Sequence, residues 1–450
     1  MQQFPEHEQR VADIAAQVAH RAAHGQKIHI TKKSGHHVVP LPGDRRFKDA
    51  PVDISALSNV LHIDADQRTC SCEPGVTFRQ LVQATLPLGL IPTVVPELEG
   101  ITVGGAVAGC SVEAMSYRYG GFHDSALEYE LVDGQGQVLR CSPTEDADLF
   151  HMIHGSYGTL GILSQITFRL IPASPFVRME YRHLGSYKEM HRQLGELCNS
   201  DAYDFIDGII HSPRQCTLCL GTWIEDPPYV SDYTVEEIYY KSTARRTEDY
   251  LRTEEYCFRY DTECHWLTRT VPPLEWRPVR RVLGKYLLGS TNMIRWSNRL
   301  SRLQSMIQRR PDVVVDVFIP YGEMPRFWQW YEADFDFYPL WIVPYRVKEV
   351  YPWIAEAFGQ GMEEVMTDDL IVDCAVYGRP NNERGKDYSR LLQAKTHELR
   401  GIKTLISRNH YDTPADFWHV YNKENIQAAK ARTDPRGVFP GLYETFGLVE

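Results

Sequence analysis

The sequence contains no apolar run that approaches the roughly 18 residues of a membrane-spanning helix. Its N-terminus also lacks the basic stretch and apolar core of a secretory leader. We therefore expect an intracellular, cytoplasmic protein. Ten cysteines are scattered over 450 residues, which is typical of reduced thiols rather than of a disulfide framework. Cys216 and Cys219 have the spacing of a metal or redox pair, but no second pair accompanies them, and we predict no metal site.

Basic residues are also fewer than acidic ones. The chain has 48 Lys and Arg against 59 Asp and Glu, and its net charge of -11 argues against nucleic acid as a partner. One basic segment, Arg277 to Arg310, departs from this balance, with nine basic residues and no acidic one among its aromatic and aliphatic residues. Such a segment is typical either of peripheral contact with an anionic membrane or of a solvated helix that covers the core. The sequence leaves both interpretations open.

Glycine is abundant in one place. Residues 93–122 contain six glycines in thirty positions, between segments that have the patterns of helices and strands. Glycine lets backbone N–H groups approach an anionic ligand with no Cβ in the way, and a dinucleotide pyrophosphate suits a loop of this length. The alternative is a loop that turns tightly between strands without binding a ligand.

The chain is long enough for two or three domains, and its pattern predicts an α+β fold. In the first part, strands and helices alternate, and a domain boundary is expected near Pro172 and Pro175. Beyond it, charged and aromatic residues dominate. The predicted helices span residues 6–24, 77–86 and 384–399, and Thr77 is the expected cap of the second. Residues 52–63 lead into a strand, and further predicted strands span 27–31, 69–73, 128–132, 137–141, 165–170, 313–319, 339–346, 370–377 and 403–411. The strands 128–132 and 137–141 are predicted to form a hairpin.

Several motifs occur in a characteristic order: CEPGVT at 72–77, ITVGG at 101–105, YG at 119–120, DLF at 148–150 and GTLGIL at 158–163. Together they resemble the PCMH-type FAD-binding domain of the vanillyl-alcohol-oxidase superfamily. The segments VVPEL at 94–98, CSPTEDADLF at 141–150 and YPLWIVP at 338–344 are most similar to the Δ24-sterol reductase group within it. This similarity extends over nearly the whole chain.

The resemblance implies an FAD-binding domain at residues 1–173, a substrate-binding α+β cap at 174–412, and a C-terminal tail at 413–450 that packs back on the FAD domain. It also implies which residues contact FAD. Those in the first phosphate turn and the glycine-rich segment are Lys33, Ser34, Gly35, Val103, Gly104, Gly105, Gly109, Cys110, Ser111, Val112, Glu113, Ser116, Tyr119 and Gly120. The adenine side would be lined by Gly158, Thr159, Gly161 and Ile162.

Members of the superfamily that tether FAD use a histidine in the first phosphate loop, and His36 and His37 occupy that place. The surrounding residues differ from those of tethered members, so we expect non-covalent FAD. Related oxidoreductases bring a basic residue from the last cap strand to the flavin, which makes Arg408 the candidate cation. His410 or Tyr411 would then donate a proton to the substrate.

On other cap strands, Tyr345, Arg346 and Tyr377 are candidates for the substrate pocket. The resemblance implies reduction of a carbon–carbon double bond in an apolar, sterol-like or isoprenoid substrate, with NADPH as electron donor. Two alternatives remain open: an FAD-dependent alcohol or sugar oxidase or dehydrogenase, and a flavin-binding partner protein without catalysis. The oligomeric state cannot be predicted from these patterns.

Overall fold

The computed structural model describes residues 4–33, 48–234, 237–293, 296, 310–347 and 349–447. The predicted ligand residues Ser34 and Gly35, and the histidines 36 and 37, lie outside these ranges. In the described ranges helices and strands mix throughout both halves of the chain, and the α+β prediction is confirmed. No helix in these ranges combines the length and apolarity that crossing a bilayer would require.

The strands form a two-stranded, a six-stranded and an eight-stranded sheet. In chain order they are β1 (Ile28–Thr31), β2 (Ala50–Asp53), β3 (Val60–Asp64), β4 (Thr69–Cys72), β5 (Leu90–Pro92), β6 (Ala126–Val132), β7 (Val138–Cys141), β8 (Ile162–Pro172), β9 (Phe176–Leu184), β10 (Phe205–Ser212), β11 (Gln215–Ile224), β12 (Glu248–Arg252), β13 (Val313–Pro320), β14 (Leu340–Arg346), β15 (Leu370–Arg379) and β16 (Ile402–Lys403).

The described helices vary from one turn to five. In chain order they are α1 (Pro5–Ala23), α2 (Phe78–Thr85), α3 (Val103–Ala108), α4 (Ser116–Tyr119), α5 (Ala147–Ile153), α6 (Tyr187–Cys198), α7 (Tyr239–Ser242), α8 (Thr253–Cys257), α9 (Arg277–Leu287), α10 (Met324–Trp330), α11 (Glu356–Glu363), α12 (Tyr388–Glu398), α13 (Pro414–Val420), α14 (Lys423–Thr433) and α15 (Leu442–Phe446).

The six-stranded sheet lies in the first part of the chain, in the order β3-β4-β8-β6-β7, with β5 paired to β8. Its core contains α2, whose start is fixed by the predicted cap Thr77 in a capping box with Gln80. The same core includes Phe78, Phe122 and Phe168, whose rings meet edge to face. The predicted hairpin of β6 and β7 is confirmed.

The eight-stranded sheet has the order β12-β9-β11-β10-β14-β15-β13-β16. Alternate residues of its strands face opposite sides. One side, which includes Val317, Ile342 and Cys374, packs in a core with α6, α10 and α12. The other side, which we call the inner face, includes Trp341 and Ala375 and packs against residues of the glycine-rich segment.

The end of the chain returns to the first part of the molecule. The carboxylate of Asp434 accepts backbone hydrogen bonds from Val438 and Phe439, at 2.8 Å each, and fixes the turn after α14. Val438 and Phe439 are buried in one core with residues of α1, β1 and β2. The two proposed boundaries between the three domains themselves remain predictions.

One predicted strand is wrong. Residues 403–411 were expected to continue a strand, but pairing with β13 covers only Ile402 and Lys403. Thr404 N–H still donates to the carbonyl of Asp316 at 3.0 Å, and the chain then turns, so that His410 N–H donates to the side chain of Gln393 at 3.0 Å. Residues 408–411 therefore do not lie on a strand.

Candidate active site

The glycine-rich segment forms a short helix, α3, whose N-cap is Thr102. A Cβ added to Gly104 would lie 2.6 Å from Cβ of Pro74, so this glycine permits close packing of the helix on the neighbouring turn. Gly105 has a different surrounding: an added Cβ would lie 3.1 Å from Oγ1 of Thr102 and 3.8 Å from Nζ of Lys32. Gly105 is exposed in the structure. Bare backbone and an ammonium group thus meet at one surface.

Lys32 was missed by the sequence analysis, which named its neighbour Lys33 instead. Its ammonium donates to Oγ1 of Thr102 at 3.0 Å, whereas Lys33 is exposed. Burial lowers the pKa of Lys32 to about 8. An anionic ligand at this surface would favour the charged form. A lysine beside an exposed glycine and the start of α3 fits the pyrophosphate of FAD.

The other predicted residues of this segment divide into two groups. Gly109, Cys110 and Ser111 directly follow α3 and are half-buried. The second group is buried in packing or polar contacts and contains Val103, Val112, Glu113 and Ser116. Val112 packs against the inner face at Tyr345 and Ile371, and Oγ of Ser116 accepts from Glu113 N–H at 2.9 Å. The second group therefore positions the segment against the cap.

Tyr119 is the last residue of α4, and Gly120 is its C-cap. Gly120 has φ of +83°, and an added Cβ would lie 2.3 Å from Oδ2 of Asp124, so the turn requires glycine.

Gly158, Thr159, Gly161 and Ile162 lie at the start of β8, on the side of β1. The Thr159 carbonyl accepts from Nζ of Lys430 at 2.8 Å, and Ile162 is buried with Ile28. These positions place the predicted adenine-side residues beside the strand that leads to Lys32.

Residues 259–265, which we call the bridging segment, connect the glycine-rich segment to the inner face. Arg259 donates to Glu113 at 2.7 Å and to Asp207 of β10 at 3.1 Å, with all three side chains buried. Asp261 accepts from the Glu99 N–H at 3.0 Å, and burial raises its pKa to about 6. His265 donates to Glu97 at 2.9 Å. Alternate residues of one segment therefore hold the glycine-rich segment at a fixed distance from the sheet.

Three carboxyl groups, those of Glu97, Asp316 and Asp373, lie between the glycine-rich segment and the inner face, and we call them the acidic cluster. The His265 ring stacks on Tyr377 of β15, with centroids 3.8 Å apart, and the Tyr377 hydroxyl donates to Asp316 of β13 at 3.2 Å. Asp373 of β15 lies on the same face, buried, with Oδ1 unpaired among the described residues. Register pairs Asp316 with Ala375, so Asp373 is its diagonal neighbour.

Burial and neighbouring negative charges raise the pKa of two carboxyl groups in this cluster. Burial and then the charge of Glu97 raise the pKa of Asp316 to about 7, against the hydrogen bond from Tyr377 and the charge of Lys403. Burial and the charges of Asp316 and Glu97 raise the pKa of Asp373 well above its usual range. Burial alone would raise the pKa of Glu97, but its hydrogen bond with His265 lowers it. The half-buried carboxyl group of Asp316 can therefore hold and release a proton near neutral pH.

Of the predicted pocket residues, Tyr377 lies in this cluster and Tyr345 in a second polar network. The Tyr345 hydroxyl is 2.5 Å from that of Tyr351, which donates to both oxygens of Asp124 at 2.7 and 2.8 Å. Arg346 instead donates to the backbone carbonyls of Tyr117, Asp368 and Cys198. These contacts hold the end of β14, and the expected place of Arg346 in the pocket stays a prediction.

The predicted catalytic residues are not brought to the acidic cluster. Arg408 pairs with Asp387 at 3.0 Å, and the His410 ring is hydrogen-bonded to Ser389 of α12 at 3.0 Å. Tyr411 is buried in a core with Phe417 of α13. All three lie on the α12 and α13 side because β16 ends at Lys403. The buried cation of this last strand is Lys403, whose pKa burial lowers to about 7.

Comparisons with known proteins agree with this geometry. A family model described as an FAD binding domain matches residues 4–142. The chain is 24% identical to the human Delta(24)-sterol reductase over 451 residues, which cover 97% of this chain and 86% of that protein. It is 22% identical to the Delta(24)-sterol reductase of Pisum sativum over 439 residues, 89% of this chain and 76% of that protein. Cytokinin dehydrogenase 9 of Oryza sativa is 27% identical over 223 residues, 48% of this chain and 42% of that protein. The chain is therefore an FAD-dependent oxidoreductase with a PCMH-type FAD-binding domain, similar along most of its length to Delta(24)-sterol reductases.

Proposed function

We propose that the protein reduces a carbon–carbon double bond of an apolar, sterol-like or isoprenoid substrate, with NADPH as the electron donor. The observation that carries this proposal is the similarity to Delta(24)-sterol reductases over 97% of the chain, which includes the eight-stranded sheet as well as the FAD binding domain. A protein that shared only the FAD-binding half would leave the substrate class open.

The chain provides a place for the cofactor. Lys32 would hold the pyrophosphate, together with the exposed backbone at Gly105. FAD, when bound, supplies hydride transfer, while the protein supplies orientation and electrostatics. We expect FAD to be bound without a covalent tether.

The acidic cluster supplies the proton. Reduction of an alkene adds a hydride to one carbon and a proton to the other, so a group that is protonated near pH 7 is required. The raised pKa of Asp316, and that of Asp373 behind it, meet this requirement. The partly exposed ring of Phe318, two residues along the same face of β13, offers apolar contact for a hydrocarbon substrate.

A second candidate is oxidation of an alcohol by the same site, as an oxidase or dehydrogenase. The match to a cytokinin dehydrogenase favours it, and an ionised Asp316 would then accept a proton rather than donate one. The two functions differ in what reduces the flavin.

Anaerobic titration separates these candidates. Purified yellow protein is mixed with NADPH, and the flavin absorbance near ~450 nm is followed. The reductase predicts bleaching by NADPH and recovery on addition of an alkene substrate. Bleaching by a candidate alcohol, with none by NADPH, would contradict the proposed reductase function and support the second candidate.

A further inference from the structure

The described part of the basic segment contains an exposed apolar surface on α9. Val282 and Tyr286 lie one turn apart on this helix, with Leu283 beside them, and they are 73%, 67% and 44% exposed. Trp276 at the helix start and Trp296 are exposed too, and the Trp296 indole donates to the Tyr286 carbonyl at 3.4 Å. These five exposed apolar side chains lie on α9 or next to its ends, and we call them together the α9 patch.

Cations border this patch. Arg277 and Arg281 are exposed, lie four residues apart and share the neighbouring stripe of the helix. The sequence of α9 contains no acidic residue, and Glu275 before it is held by Lys241 at 2.7 Å. In a chain with a net charge of -11, this is a local positive surface next to an apolar one.

The structure also corrects the count of surface cations. Arg280 is buried and paired with Glu263 of the bridging segment at 2.6 Å. After α9, Ser290 donates to Asp261 of the bridging segment at 2.6 Å. The helix is thus fastened on its inner side, which fixes the outward direction of the α9 patch. The bridging segment also carries His265, so it links α9 to the residues around Glu97 and Tyr377.

From these observations we propose that the α9 patch docks on a bilayer leaflet containing anionic lipids. Valine, leucine and aromatic side chains enter the boundary between headgroups and acyl chains, while arginines on the adjoining stripe contact anionic headgroups. A nucleic acid would use the cations but leave the apolar side chains in water. This proposal goes beyond the proposed function and does not depend on it.

The test uses FAD-loaded protein and sedimentation with vesicles of phosphatidylcholine, with or without about 30% phosphatidylserine. We expect binding to the anionic vesicles that weakens as salt is added. Val282→Ser with Tyr286→Ser should lower the partition coefficient at least ~10-fold, because two exposed apolar side chains no longer enter the lipid. Arg277→Gln and Arg281→Gln should each lower it roughly fivefold on anionic vesicles only.

Matched controls come from exposed residues elsewhere. Val138→Ser on β7 and Arg214→Gln, in the turn between β10 and β11, should bind as the unaltered protein does. Equal losses in controls and α9 variants would overturn the proposal, as would equal binding to both vesicle types. Light scattering adds a further outcome: a dimer that the α9 variants abolish, without vesicle binding, would assign the patch to a second copy of the chain. Neither NADPH nor substrate enters these assays, so the results are independent of the proposed reaction.

Discussion

Replacement of Lys32 by methionine is expected to weaken FAD binding far more than the same change at Lys33. Lys32 is half-buried beside Gly105 and hydrogen-bonded to Thr102, whereas Lys33 is exposed. A hydrogen bond between charged groups contributes about 1.5–3 kcal/mol, which corresponds to roughly a 10- to 150-fold rise in Kd. Lys33→Met, the matched control, should change Kd by less than about threefold, since an exposed cation contributes little.

The pH dependence of FAD binding provides an independent check on the role of Lys32. Its pKa of about 8 applies without the cofactor, and an anionic pyrophosphate would raise it on binding. Above pH 8 the free protein must therefore take up a proton as FAD binds, and Kd should rise by up to about tenfold per pH unit. Below pH 8 Kd should be flat. The assay is quenching of FAD fluorescence at pH 7, 8 and 9. Equal Kd values for Lys32→Met and Lys33→Met, or a flat profile to pH 9 in the unaltered protein, would refute the assignment.

Three further results are expected. Asp316→Asn should lower turnover by about 10²–10⁴-fold without changing flavin reduction by NADPH, and unaltered turnover should fall above about pH 7 as the acid loses its proton; rapid-mixing kinetics at several pH values would check both. Arg259→Met should lower the free energy of unfolding by about 3–5 kcal/mol in a urea titration, because two carboxylates would remain buried without their cation; a loss below about 1 kcal/mol would contradict this. Acid precipitation should release all flavin into the supernatant, whereas yellow precipitate that persists would indicate a tether at His36 or His37.

Sequence patterns predicted strands such as Val313–Pro320 and the helix that follows Thr77, because these are local signals, but they predicted only three of the fifteen described helices. The glycine-rich segment was also visible in composition alone. Lys32 was missed because two adjacent lysines differ only in burial, which depends on the packing of Thr102 against β1.

The sequence does contain a signal for the acidic cluster. Asp316 and Asp373 are single carboxylates within apolar strand runs, where a charged residue is costly unless it has a role. Arg408 does not lie on a strand, because β16 ends at Lys403 at the edge of the sheet, and its role beside the flavin stays a prediction. Likewise, counting basic residues could not distinguish the buried Arg280 from the exposed cations of α9.

The central claim is that the chain reduces an alkene with a proton from the acidic cluster. A single turnover tests it most directly: enzyme reduced by NADPH without oxygen is mixed in D₂O with a Δ24-unsaturated sterol, and the product is analysed by mass spectrometry. The account predicts a saturated side chain with solvent-derived deuterium at the carbon that receives the proton, and slower formation of that product by Asp316→Asn. Unchanged sterol, recovered after the reduced flavin has been reoxidised by another acceptor, would contradict it.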